Sequence, residues 1–66
     1  MNLVVNGAAM TCATGTTLSE IVQIVAGTDR GVAVSIDREV VPRSTWSRVE
    51  LRPGALIEVL VAAAGG

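Results

Sequence analysis

The chain has 66 residues, enough for one domain spanning 1–66 and too few for a second. Half of them are hydrophobic and the formal net charge is −1. That balance excludes a disordered segment and the basic footprint of a nucleic-acid binder. Phe and Tyr are absent, so the core must be built from Val, Ile, Leu and Met. A chain of this size buries only about 60% of its unfolded surface, which leaves little spare stability.

One cysteine and no histidine exclude a disulfide framework and a zinc site. Cys12 fits a reducing compartment. The N-terminal stretch lacks a basic region followed by a long apolar run. The most apolar late segment is interrupted by Glu58 and is too short to span a bilayer. The expectation is a soluble cytoplasmic protein that engages no membrane.

In chain order, Asn2 to Val5 reads as a strand. Asn6-Gly7 suits a type I′ turn, whose two central positions need positive φ, and Ala8 to Cys12 pairs back onto the first strand. A loop at 13–16 leads to Thr17-Leu18-Ser19-Glu20, which fits a capping box. Leu18, Ile21, Val22 and Val25 follow at helical spacing, with Ile24 widening the stripe, and Gly27 ends the helix as a left-handed cap.

Val32, Val34 and Ile36 alternate with Ala33 and Ser35, giving a third strand with one apolar face. Asp37-Arg38 is a turn before a brief strand at Glu39 to Val41, which Pro42 must end because it donates nothing to a ladder. Ser44 is expected to cap a short turn carrying Thr45, Trp46 and Ser47. Trp46 is expected to close one edge of the core with its ring half exposed. Pro53-Gly54 is a further turn, and the last strand runs from Leu56 to Val61.

This order predicts an α+β fold of the β-grasp type: a mixed sheet of four to five strands with one main helix packed on one face. The first and last strands should lie side by side and parallel, joined by a helical crossover. After the last strand, side-chain bulk falls away through Ala62, Ala63 and Ala64 to Gly65 and Gly66. Residues 62–66 therefore read as a flexible tail. Its end is either a frayed terminus or a functional carboxylate, because two residues without Cβ let a chain end thread a narrow cleft.

The opening Met1-Asn2-Leu3 with Asn6-Gly7, Thr17-Leu18, Val32-Ala33-Val34, Glu39 through Trp46, Ile57-Glu58-Val59 and Gly65-Gly66 together resemble the ThiS family. These are the ubiquitin-like sulfur carriers of thiamin (thiazole) biosynthesis. The likeness runs the whole length, and Val41-Pro42-Arg43-Ser44 followed by Trp46 is its most specific piece. Two departures stand out. Ala55 follows the last turn's glycine where an acidic residue is usual, which bears on that turn's hydrogen bonding. Ala64 stands where a third glycine is often found, which bears on the tail's fit in a partner's channel.

The resemblance implies that an ATP-using activating enzyme adenylates the Gly66 carboxylate, that a sulfur-donor system converts it to a thiocarboxylate, and that thiazole synthase receives the sulfur. Ala64, Gly65 and Gly66 would thread those active sites. The chain itself would be a protein co-substrate with no bound cofactor, not an enzyme.

The remaining residues point the same way. With no histidine there is no recognisable catalytic triad, and with no lysine no phosphate-clamping glycine loop. Asp37 and Glu39 flank a turn and read as solvated carboxylates, not as ligands for a hard cation that needs six or more oxygens. Cys12 reads as a small buried hydrophobe, with a redox role or a transient link to a partner as the alternative. Trp46 as a partner contact is the alternative to its structural role. Arg43, Arg48 and Arg52 read as a solvated face, or as a dock for an acidic partner.

Strand parity places Ile57, Val59 and Val61 toward the helix, hence Glu58 and Leu60 outward, with Val4 and Ala33 outward on the neighbouring strands. Such an apolar patch beside the tail is expected to dock the activating enzyme. The competing readings are a carrier for molybdopterin or cysteine synthesis, a non-covalent β-grasp interaction domain, and a protein-conjugating modifier. The last could not form lysine-linked chains on itself.

Overall fold

The computed structural model describes residues 1–62. Strands β1 (Asn2–Val5) and β2 (Ala8–Thr11) form a hairpin closed by Asn6 at φ 50° and Gly7 at φ 80°, the two positive angles that a type I′ turn requires. Cys12 extends the pairing, since its amide donates to the Met1 carbonyl at 2.9 Å. Helix α1 (Leu18–Ala26) starts with the expected capping box and ends at Gly27, whose φ is 71°. The first amides of α1 find their partners locally. Leu18 N–H donates to the Val49 carbonyl at 3.2 Å, Ser19 N–H to Trp46 at 3.1 Å, and Glu20 N–H to the Thr17 hydroxyl at 3.4 Å. Donors that a helix start would otherwise leave open are thereby satisfied.

Strands β3 (Val32–Ile36) and β4 (Glu39–Val40) form a second hairpin, a 3₁₀ turn occupies Arg43–Thr45, and β5 (Leu56–Val61) closes the sheet. The sheet order is β2-β1-β5-β3-β4, with β1 and β5 parallel and the other neighbours antiparallel. This is the β-grasp fold: a mixed five-stranded sheet whose central strand is the last in sequence. The core joins Leu3 and Val5 of β1, Leu18, Ile21 and Val22 of α1, Val34 of β3, and Ile57 and Val59 of β5. Each such aliphatic side chain contributes about 1.5–3 kcal/mol when fully buried.

Several local expectations change. Ile24 is exposed, and so, less fully, is Val25, expected in the core stripe. The buried stripe is Leu18, Ile21 and Val22, with Ile24 well round the helix from it at 3.6 residues per turn and Val25 in the last turn. Trp46 is 3% exposed, not half exposed, and its ring N–H donates to the Val41 carbonyl at 2.8 Å. The 3₁₀ turn folds it beneath the start of α1. Ser44 lies inside that turn and caps nothing. The Thr45 hydroxyl instead donates back to the Pro42 carbonyl at 2.7 Å. Ala55 leaves its turn fully bonded: Gly54 N–H reaches the Asn2 carbonyl at 2.7 Å, and the Ala55 carbonyl accepts from Val4 at 3.0 Å.

Candidate functional site

The face of the sheet opposite α1 carries Leu56, Glu58 and Leu60 of β5. Ile57 and Val59 are buried on the helix face, as alternation along a strand requires. Leu60 is 68% exposed and stands directly opposite Ala33 of β3. Glu58 is opposite Ser35, which in turn pairs with Val40 of β4. Ala33, Val34, Ser35, Val40, Glu58 and Leu60 line a shallow depression of about 130 Å³.

Three of the four residues expected to form an outward patch are therefore adjacent: Leu60, Glu58 and Ala33. Val4 shares their face but not their neighbourhood. It is opposite Leu56, four residues before Leu60 and about 13 Å away along the strand. Beside Leu56 it is half-buried. Val40 is 80% exposed and takes the place that Val4 was expected to fill. The sequence signal for Val40 was weak, because a strand of two residues has no alternation to read. Val61, expected against the helix, is 55% exposed. β1 has turned away before reaching it, so β3 alone flanks it.

At the end of β5, Ala62 N–H donates to the Gly31 carbonyl at 2.7 Å, so the sheet continues one residue into the stretch read as tail. The other predicted tail residues, Ala63, Ala64, Gly65 and Gly66, lie outside the described residues. Beside Ala62 opens a cleft of about 580 Å³ lined by Gly31, Val32, Leu60 and Val61, with the Arg43–Asp29 ion pair (2.9 Å) on its rim. Two side chains whose local sequence marks only turns also reach β5. Asn6 bonds both backbone groups of Val59, and Asp37 Oδ1 accepts from Leu56 N–H at 3.0 Å. Among the described residues, no three metal-ligating side chains come together, and no helix is long and apolar enough to cross a membrane.

The model of the ThiS family matches residues 3–66, from β1 through the final glycines. The chain belongs to the ThiS family. It is 32% identical over 66 residues to the sulfur carrier protein ThiS of Escherichia coli (strain K12), covering all of both chains. The crystal structure of the thiamine biosynthesis protein ThiS from Geobacter metallireducens superimposes with a TM-score of 0.82 at 28% identity, again over all of both chains. A solution structure of a thiamine biosynthesis protein from the same organism gives a TM-score of 0.80 at 28% identity, covering all of this chain and 88% of the other. The ThiS match includes Ala64, Gly65 and Gly66, the part of the expected site that lies outside the described residues.

Proposed function

We propose that this chain is a sulfur carrier of thiamin biosynthesis whose working group is the Gly66 carboxylate. A carboxylate is a poor electrophile. Attack on the α-phosphate of ATP, within an activating enzyme, gives an acyl-adenylate and releases pyrophosphate. A sulfur donor then displaces AMP from the acyl carbon and leaves a thiocarboxylate. Thiazole synthase takes that sulfur while the ring is built. Ala64, Gly65 and Gly66 thread the two partner sites, where bulky side chains would obstruct entry. The chain supplies the tether and the docking face. It works in the cytoplasm beside these partners and uses no cofactor of its own.

The observation that carries this reading is the family match through residue 66, with no residue of either chain left over against the E. coli sulfur carrier. The exposed group of Leu60, Ala33, Glu58 and Val40 beside the root of the tail supports a docking role for the activating enzyme. Val4 stands at the far margin of that face.

The deciding experiment is the intact mass of the protein after incubation with the activating enzyme, ATP and a sulfur source. Exchange of one carboxylate oxygen for sulfur, localised to Gly66, is the expected result. An unchanged mass, with the same enzyme active on another carrier, would replace this reading with a non-covalent interaction domain. Leu60→Asp should leave the fold intact and lower the rate of activation. Activation of that variant at the normal rate would remove the docking assignment.

A further inference from the structure

β1 pairs with β5 only through Val4 opposite Leu56 and Val5 opposite Ile57, whereas β3 follows β5 as far as Val61. Where β1 leaves, a side chain takes over. Asn6 Oδ1 accepts the Val59 N–H at 2.8 Å, and Asn6 Nδ2 donates to the Val59 carbonyl at 3.1 Å. One amide side chain thus offers the donor and acceptor that a continuing strand would have offered from its backbone. The turn also makes this reach possible. Asn6 holds φ 50°, a left-handed conformation that Asn tolerates better than most residues, and its own amide still donates to the Ile57 carbonyl at 2.9 Å.

We infer that Asn6 is a positioning residue for the chemistry at the carboxyl terminus. It holds β5 from the β1 side three residues before Ala62, so that the strand is held from both sides as far as Val59 and enters its last residues in one direction. This rests on the carrier reading above. A reacting group on a tether gains from a defined root, because docking selects the fraction of molecules already in the competent geometry, and the apparent affinity falls with that fraction. Loosening the root should therefore raise KM for the carrier and leave kcat, measured at saturating carrier, almost unchanged.

The test compares wild type with Asn6→Gly and Asn6→Asp. Glycine keeps the positive φ without strain and deletes both bonds. Aspartate is close in shape, keeps the acceptor for Val59 N–H and loses the donor. Thiocarboxylate formation is followed by mass against carrier concentration, with activating enzyme, ATP and a sulfur source. The temperature is one at which circular dichroism shows each variant folded. For Asn6→Gly we expect KM to rise about tenfold with kcat within about twofold, and for Asn6→Asp a smaller rise. Amide exchange at Ala62 should quicken in Asn6→Gly while Ile21 in α1 keeps its protection relative to the rest of the fold. If Asn6→Gly does not fold, Asn6→Asp alone decides. An unchanged KM would overturn the inference, as would a loss confined to kcat or an equal rise in exchange at Ala62 and Ile21. A wild-type chain that takes up no sulfur would instead overturn the carrier reading.

Discussion

The two ends of β5 are made of the same kind of residue and meet opposite fates. At its start, Leu56 and Ile57 have β1 on one side, and on the other Ile57 stands opposite Ile36 of β3 while Leu56 bonds Asp37 in the turn beyond it, and Ile57 is among the fully buried side chains. At its end, Leu60 and Val61 have β3 alone as a flanking strand and stand exposed. Hydropathy does not separate these residues; the face each occupies and the strands beside it do. Hydrophobic residues at a protein surface are ordinary when scattered, and informative when they gather beside something chemically active. Here they gather at the end of β5, beside the segment proposed to carry the reacting group.

The sharpest way to break this comparison is to truncate one residue from each end. Ile57→Ala should destabilise the domain by about 2–5 kcal/mol, the usual loss for a large aliphatic in a closed core. Leu60→Ala should change stability by no more than about 0.5 kcal/mol. Urea unfolding monitored by circular dichroism would measure both. Comparable losses would mean that the end of the strand bears stability as the start does, and that its exposure has no special meaning.

A finer version compares the two side-chain clamps. Asp37 sits at φ 49° in the β3–β4 turn. Its amide donates to the Leu56 carbonyl at 2.7 Å while its carboxylate accepts from Leu56 N–H. It does at the start of β5 what Asn6 does toward the end. Asp37→Gly should cost about 1 kcal/mol, as should Asn6→Gly, each through lost hydrogen bonds. Only Asn6→Gly should also raise KM for sulfur loading. Equal effects of the two variants on KM would show that loading follows general stability and not the geometry of the strand's end.

Much of this arrangement is legible in the sequence. The capping box at Thr17 and Glu20, the Gly27 cap, the type I′ turn and the full span of β5 follow from local chemistry, which is written in adjacent residues. The direction of Leu60 and Ala33 followed from alternation alone. What stayed hidden depends on partners distant in sequence. Asn6 meets Val59 across 53 positions, and nothing near Asn6 announces more than a turn. Val40 joins the patch through its pairing with Ser35, and Trp46 is buried because the 3₁₀ turn places it under α1. Val4 and Leu60 share a face, but only the register between β1 and β5 reveals that they stand at different heights on it.

The smallest effect should come from the rim of the cleft beside Ala62. Arg43 and Asp29 form a single contact at 2.9 Å with side chains 57% and 47% exposed. In water, an ion pair so open gains little, since solvent and salt screen the attraction and two long side chains lose freedom in making it. Arg43→Ala should therefore lower stability by less than about 1 kcal/mol. The difference should vanish in 1 M salt, where the screening length falls to about 3 Å. Urea unfolding at low and high salt would measure it. A loss of several kcal/mol, or one indifferent to salt, would mean that the Arg43 stem packs as part of the fold, and that the root of the tail is built as firmly as the start of β5.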